Sequence, residues 1–246
     1  MKSNFINDLS LENKLSKYLD KYFYSWLLRN GYIVRHKRIF DKNEQRKGKD
    51  VILYVKDNES KRIGQIIVDE KSTSHYLNKR IPTFAFELSY LDKSGNEKNG
   101  WLLDDEKETD MYALIWPDIK CNKYTNLTSK FGEKQAKWQQ HINANDFCNA
   151  EIWLICKANL LNLLESNYNL TTKKLQEYSH EIRTIFNRTK TCTTKYNKDS
   201  PIKEYRFNYT SYLAEQPINL VIWKDIICKS ATMKFFISKG NVFRLY

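Results

Sequence analysis

Two acidic residues and a lysine occur where a short β-hairpin would bring their side chains together. Asp50 directly precedes the apolar run 51–55, and Asp69 follows the run 63–68, with Lys71 two residues later. Both runs are rich in β-branched residues and the segment between them is polar, which is typical of two strands joined by a turn. If the turn is centred midway between the runs, Asp50 lies opposite Asp69, about 4.5–5.5 Å away. The pattern therefore predicts two carboxylates at one end of a sheet.

Side chains alternate between the faces of a strand, so Lys71 shares a face with Asp69 while Glu70 points the other way. Two carboxylates suit a hard divalent cation such as Mg²⁺, which also takes water and phosphate oxygens as ligands. A cation held there acidifies water and stabilises an in-line displacement at phosphorus, while a nearby lysine positions the water or neutralises the pentacovalent phosphate. We expect Mn²⁺ to substitute, and the backbone carbonyl of Glu70 is a further candidate ligand. These residue types predict phosphodiester hydrolysis with Mg²⁺ as cofactor.

The set of Asp50, Asp69 and Lys71 resembles the active site of the PD-(D/E)xK nuclease superfamily. The motif departs from the superfamily pattern at Lys49, which stands where proline is usual. The resemblance covers about residues 18–117 and is to uncharacterised bacterial and mobile-element members. It implies a restriction-endonuclease-like fold of the α/β (α+β) class, with a mixed sheet flanked by helices. It also implies a Mg²⁺-dependent endonuclease that cleaves DNA, with a homodimer as a candidate assembly because many such nucleases cut both strands as dimers.

The acid-x-lysine tripeptide has little specificity by itself. It also occurs at residues 12–14, 59–61 and 105–107, where no comparable apolar strand ends. Asp69 and Lys71 differ from these because they end an apolar strand that faces a second acid. The alternative interpretation is an ordinary surface turn, since most aspartates and lysines in proteins are exposed to solvent.

Two further acids are candidate metal ligands. Apolar residues recur at helical spacing over residues 10–29 and are followed by the helix stop Asn30-Gly31. Many PD-(D/E)xK members carry an additional acid on this helix, so the resemblance makes Asp20 a candidate; the alternative is a solvated charge. Glu87 is the sole charge in the apolar strand 82–91, and a buried carboxylate needs a metal or a cationic partner. Both alternatives are open for Glu87.

The rest of the chain alternates between strand and helix patterns. Strands are expected at 113–117, 151–156, 203–209 and 218–223, and helices at 157–165 and 171–188. Residues 100–103 are expected to form a returning strand, and residues 189–202 an exposed loop. With only 7 Gly and 4 Pro, the sequence contains no clear linker. We therefore predict a single domain over residues 1–246, with a catalytic core at about 10–117 and a C-terminal α/β elaboration at about 118–246.

The chain is strongly basic, with 41 Lys and Arg against 29 Asp and Glu, a net charge of +12 and a pI near 9.3. This excess favours a polyanionic partner, nucleic acid before an anionic membrane surface. Basic residues cluster at 35–38, 42–49, 120–137 and 183–195, and the candidate phosphate contacts beside the site are Arg38, Lys47 and Lys49. No apolar run has the length of a membrane span, no secretory leader is evident, and the five cysteines lack zinc-ligand spacing. These features predict a cytoplasmic protein with no membrane partner.

Three functions are open on this basis. The first is a Mg²⁺-dependent DNA endonuclease, and the second is a catalytically silent nucleic-acid-binding relative with the same fold. The third is a host-interaction protein of a mobile element, in which the acids are coincidental. The complete set of Asp50, Asp69 and Lys71 favours the first function, because a silent relative has no reason to keep all three. The basic charge favours the second function over the third.

Overall fold

The computed structural model describes residues 5–57, 59–120, 141–189 and 204–245. Helices and two β-sheets make up the described chain, which confirms the mixed α/β (α+β) class. The chain divides into two compact units. The first unit takes its described residues from Asn4–Ile81, Glu108–Cys156 and Thr232–Tyr246, and the second from Pro82–Lys107 and Lys157–Ala231.

The first unit begins with a long helix whose apolar face is buried. The helix comprises α1 (Phe5–Leu19), a π-helical turn (Asp20–Tyr24) and α2 (Ser25–Arg29), which confirms the helix predicted over residues 10–29. Its buried side chains recur at the spacing of an amphipathic helix: Leu11, Leu15, Tyr18, Leu19, Phe23 and Leu27. The helix stops where the sequence predicts because Gly31 has a φ of +73°, a conformation that L side chains rarely adopt.

A seven-stranded mixed sheet packs against this helix. In spatial order it contains β1 (Arg35–Arg38), β2 (Val51–Lys56), β3 (Ile63–Ser72), β6 (Met111–Ile119), β7 (Phe147–Cys156), β10 (Ala231–Ser238) and β11 (Asn241–Arg244). The short helix α3 (Lys42–Arg46) lies between β1 and β2. β2 is antiparallel to both β1 and β3, whereas β3 and β6 are parallel. The two strands from the end of the chain, β10 and β11, are not predicted by the sequence patterns above.

The β2–β3 hairpin has the predicted register, which decides where the two acids lie. Val51 pairs with Val68 at the end of the ladder, and the N–H of the preceding residue, Asp50, donates to the Val68 carbonyl, which brings Asp50 next to Asp69. Val51, Leu53 and Val68 belong to the hydrophobic core that includes the buried face of α1. Because side chains alternate along a strand, Asp50 and Asp69 belong to the opposite face of the sheet.

The second unit is built around a four-stranded sheet. In spatial order it contains β5 (Glu97–Asn99), β4 (Thr83–Leu91), β9 (Ile218–Trp223) and β8 (Tyr205–Tyr209), and its helices are α4 (Lys157–Tyr168), α5 (Thr172–Thr189) and α6 (Lys224–Ile227). The predicted strand at 100–103 is wrong, because β5 is the strand that returns along β4. At Gly100 the chain turns across an irregularity of β4, where the Leu102 N–H donates to the Glu87 carbonyl.

The predicted boundary between a catalytic core and a C-terminal elaboration, after residue 117, falls inside β6. The sheet that contains β2 and β3 also takes β7, β10 and β11 from the second half of the chain. Pairing between such distant segments leaves no signal in local periodicity. The single-domain interpretation stays a prediction, and residues 190–202 of the expected loop lie outside the described residues.

Among the helices that the structure describes, none is both long enough and apolar enough to cross a membrane.

We expect Gly100→Ala to destabilise the protein because the new methyl group meets backbone atoms that cannot rotate away. A Cβ at this position would lie 2.5 Å from the carbonyl carbon and oxygen of Glu87. Overpacking of this kind costs about 1–3 kcal/mol. The measurement is the free energy of unfolding in urea. Gly64→Ala is the matched control, since its Cβ would meet nothing closer than 4.0 Å, and an equal loss in both variants would contradict the expectation.

Candidate active site

Asp50, Asp69 and Lys71 come together at the end of the β2–β3 hairpin. Asp69 is 2% exposed, and one of its oxygens, Oδ1, lies 2.8 Å from Lys71 Nζ. The other oxygen, Oδ2, is buried and has no hydrogen-bond partner within the described part of the chain. Asp50 Oδ2 accepts a 2.8 Å hydrogen bond from the backbone N–H of Glu70. The structure therefore brings together the three residues that the sequence predicts as catalytic.

The electrostatics of this group follow from two like charges near one lysine. Burial raises the pKa of Asp50 well above its ordinary value, and the neighbouring carboxylate of Asp69 raises it further. Burial lowers the pKa of Lys71, but the carboxylates of Asp69 and Asp50 outweigh it, and the net result is a raised pKa. Lys71 is therefore protonated at neutral pH. One lysine neutralises only one of the two carboxylates, and the raised pKa of Asp50 is the consequence of its burial and of the repulsion that remains.

The oxygens of this group fit a small set of ligands for Mg²⁺. In a β-strand the N–H and C=O of one residue point to the same side, so the Glu70 carbonyl is directed towards the strand of Asp50, as its N–H is. The unpaired Asp69 Oδ2, the Asp50 carboxylate and this carbonyl are hard oxygen donors. The described residues contain no group of three or more His, Cys, Asp or Glu side chains suited to a metal. Two carboxylates completed by water and phosphate oxygens are nevertheless a usual arrangement for Mg²⁺.

Glu70 links this group to the helix on the other side of the sheet. Its carboxylate accepts hydrogen bonds from Tyr24 Oη at 2.7 Å, from Arg38 Nη1 at 2.5 Å and from Ser16 Oγ at 3.3 Å. The Glu70 side chain therefore points away from Asp69, as the sequence predicts. Burial raises the pKa of the Tyr24 hydroxyl and the Glu70 carboxylate raises it further, so Tyr24 is a hydrogen-bond donor across the neutral pH range. The peptide of Glu70 thus contacts the acidic group while its side chain is fixed to the helix.

Two predicted site residues, Asp20 and Arg38, are paired with each other instead. Arg38 Nη2 lies 2.6 Å from Asp20 Oδ1, and the Arg38 side chain is only 8% exposed. Arg38 belongs to the helix-facing side of the sheet because it pairs with Val51. The structure therefore places Asp20 with Arg38 and not with Asp50, and it makes Arg38 a buried partner of two acids, not an exposed phosphate contact. The helix residue whose charge affects Lys71 is Glu12, two turns earlier on the same helical face as Asp20.

The predicted phosphate contacts Lys47 and Lys49 lie in an ion-pair cluster. Lys49 Nζ is 2.7 Å from carboxylate oxygens of both Glu44 and Glu108, and Lys47 Nζ is 3.3 and 3.6 Å from the same two residues. The two acids lower the availability of both lysines for a phosphate. Sequence spacing does not reveal this neutralisation of the two lysines, because Glu108 is about 60 residues away in the chain. The fold brings it to Lys47, where the Glu108 N–H donates to the Lys47 carbonyl.

Glu87 lies in the second unit, on β4, where it pairs with Asn219 of β9. It is thus part of a different sheet from Asp50 and Asp69, and it has interactions of its own within the protein. Of the basic clusters that the sequence contains, residues 121–137 and 190–195 lie outside the described residues.

Arg38→Met should destabilise the protein strongly, because it leaves the buried Glu70 carboxylate without its cation. Removal of one partner from a buried ion pair costs about 3–5 kcal/mol. The measurement is the free energy of unfolding in urea at pH 7. Arg35→Met is the matched control on the same strand, since Arg35 is exposed and contacts only the ring of Tyr54. A similar, small effect for both variants would contradict the structural role of Arg38.

Asp50→Asn should stabilise the metal-free protein as the pH rises. Below about pH 4, the ordinary pKa of aspartate, the Asp50 carboxyl is protonated in both the folded and the unfolded state. Its pKa is raised in the folded state, so at higher pH the unfolded state loses its proton first and unfolding becomes more favourable. The amide lacks this penalty. The expected result is a growing stability advantage of Asp50→Asn over the wild type above pH 4, measured by urea unfolding in EDTA.

The control for this pH dependence is Asp57→Asn, whose effect should have the opposite sign. The Ser60 hydroxyl and the Glu59 N–H hold the pKa of Asp57 below its ordinary value. Asp57→Asn therefore loses stability relative to the wild type as the pH rises towards about 4, the ordinary pKa of aspartate, and the difference stays constant at higher pH. If the free energy of unfolding depended on pH in the same way in both variants, Asp50 would not experience the repulsion described above.

Comparison with protein-family models, with curated proteins and with solved structures finds no match to this chain. No relative therefore assigns a role to Asp50, Asp69 or Lys71, and the resemblance to PD-(D/E)xK nucleases stays a hypothesis. It depends on the placement of two carboxylates and a lysine at one point of the sheet.

Proposed function

We propose that this protein is a divalent-metal-dependent endonuclease that hydrolyses phosphodiester bonds in DNA. The observation that carries the proposal is the buried Asp69 Oδ2, which has no hydrogen-bond partner within the described residues and lies beside a second carboxylate. A buried acceptor without a partner costs about 1–3 kcal/mol, and two adjacent carboxylates add their repulsion. A Mg²⁺ ion bound there would offset both the unpartnered oxygen and the repulsion between the carboxylates. An ordinary surface turn would give no reason for either cost.

Each residue has a separate role in the proposed reaction. Mg²⁺, when bound, would supply an acidified water and a Lewis acid for the phosphate oxygens. Asp50 and Asp69 would hold the cation, and the Glu70 N–H keeps the Asp50 carboxylate in a fixed orientation. Lys71 is protonated, because its pKa is raised, so it would stabilise the negative charge that develops on the phosphate and would not remove a proton from water.

The net charge of +12 supports a nucleic-acid substrate over a small phosphate ester, because a long-range positive potential attracts a polyanion. DNA is preferred through the resemblance to the nuclease superfamily. The alternatives are a silent nucleic-acid-binding protein and a host-interaction protein. Neither alternative uses the unpaired oxygen of Asp69, since neither requires a metal.

The test is cleavage of supercoiled plasmid by the purified protein in Mg²⁺ or Mn²⁺, with EDTA as the metal-free condition. We expect cleavage with either metal and none in EDTA. Asp50→Asn, Asp69→Asn and Lys71→Met should each reduce the rate by at least about 10²-fold, because each removes a metal ligand or a charge that stabilises the transition state. Asp57→Asn, an exposed acid on the same hairpin, should cleave like the wild type.

Metal binding is measured separately by thermal unfolding, because a ligand that binds only the folded state raises its melting temperature. Mn²⁺ should stabilise the wild type and leave Asp69→Asn unchanged. Cleavage by Asp69→Asn at the wild-type rate would contradict the assignment of Asp50, Asp69 and Lys71 as the active site. DNA binding without cleavage or metal stabilisation would leave the silent relative as the better interpretation.

A further inference from the structure

The sheet face that carries the acidic group continues into an exposed basic strand. In the β1–β2 pair, Arg35 stands opposite Tyr54 and Lys37 opposite Ile52. Asp50 precedes Ile52 by two residues, so its side chain shares the face of Ile52. Arg35, Lys37, Tyr54 and Asp50 therefore lie on one face, and β1 is the edge strand of the sheet.

Lys37 is close to the acidic group without being paired to it. It is diagonal to Asp50 across the β1–β2 ladder, which places the two residues about 7–8 Å apart. Lys37 is exposed and makes no ion pair with any described residue. Arg35 is also exposed, and its only contact in the described structure is cation–π stacking on Tyr54, with Cζ 4.0 Å from the ring centroid. A stacked guanidinium keeps its N–H donors directed to the side, where they can bind a phosphate.

These two cations differ from the basic residues that the sequence suggests. Arg38 is neutralised by buried carboxylates, and Lys47 and Lys49 share the carboxylates of an ion-pair cluster. Among the described residues, no carboxylate compensates Arg35 or Lys37 in this way. Residues two apart on a strand are separated by about 6.6 Å, similar to the spacing of neighbouring phosphates along a nucleic-acid strand.

We propose that the edge strand β1 binds the backbone of duplex DNA through Arg35 and Lys37 and guides it towards Asp50 and Asp69. This inference rests on the proposed nuclease function and names the surface that holds its substrate. The charge complementarity comes from these two cations, which lie on the same sheet face as the proposed site for phosphodiester hydrolysis. Contacts to phosphates give affinity without reading bases, so the binding should be largely independent of sequence.

The experiment measures duplex binding by fluorescence anisotropy in Ca²⁺, which occupies an oxygen site while slowing cleavage. A labelled duplex is titrated with wild type, with Arg35→Gln/Lys37→Gln, and with Lys93→Gln/Lys229→Gln, across 50 to 200 mM salt. The control pair removes the same charge from exposed lysines of the second unit. Each lost phosphate contact reduces the slope of log affinity against log salt by about 0.9.

We expect the Arg35→Gln/Lys37→Gln slope to be flatter by about 1.8, so that the loss of affinity between 50 and 200 mM salt is about 12-fold smaller than in the wild type. The control pair should keep the wild-type slope, and all three proteins should have the same melting temperature and the same stabilisation by Mn²⁺. A wild-type slope in Arg35→Gln/Lys37→Gln, or equal flattening in the control, would overturn this inference while the nuclease proposal stands. No duplex binding by the wild type at 50 mM salt would overturn both.

Discussion

The closeness of two carboxylates, Asp50 and Asp69, is the constraint on which the first unit depends. Adjacent acids at a sheet end repel each other, and burial makes the repulsion stronger because water screens it less. Two features compensate for this in the structure. Lys71 forms an ion pair with Asp69, and the Glu70 N–H donates to Asp50. The arrangement is thus held in place by contacts within the protein itself.

The two faces of β3 carry different groups of residues. Asp69 and Lys71 point to one face, whereas Val68 and Glu70 point to the face that packs against the helix. Glu70 is held there by a tyrosine, a serine and an arginine, so the peptide that orients Asp50 cannot shift without breaking buried hydrogen bonds. The placement of the acids therefore depends on a polar network on the opposite face of the strand.

The hairpin could be predicted from sequence because two apolar runs and one polar turn leave a single register that buries Val51 and Val68. Once that register was known, Asp50, Asp69 and Lys71 followed from strand alternation. The helix acid that lies near Lys71 could not be chosen in the same way. Glu12 and Asp20 occupy one helical face, and the choice between them depends on how far along the sheet the helix lies, which no local pattern contains.

The partners of the basic residues were beyond prediction for a related reason. Arg38 meets Glu70 only because β1 and β3 flank β2, and Lys49 meets Glu108 only because the start of β6 approaches the loop after α3. The strands β10 and β11 join the sheet from more than 70 residues beyond the end of β7. Pairings over such distances are decided by the assembled fold, whereas periodicity reports only which face of a segment is apolar.

The π-helical turn at Asp20–Tyr24 makes the long helix sensitive to chain length. A π-turn accommodates one more residue than an α-helical turn, and each residue of an α-helix rotates the chain by about 100°. Loss of one residue from this turn would let the helix continue as a regular α-helix, and the segment before it would rotate relative to the segment after it. Ser16, which lies before the turn, and Tyr24, which is the last residue of the turn, now meet the same carboxylate and could then no longer do so. Descendants of this chain should therefore accept substitutions in the turn far more readily than insertions or deletions.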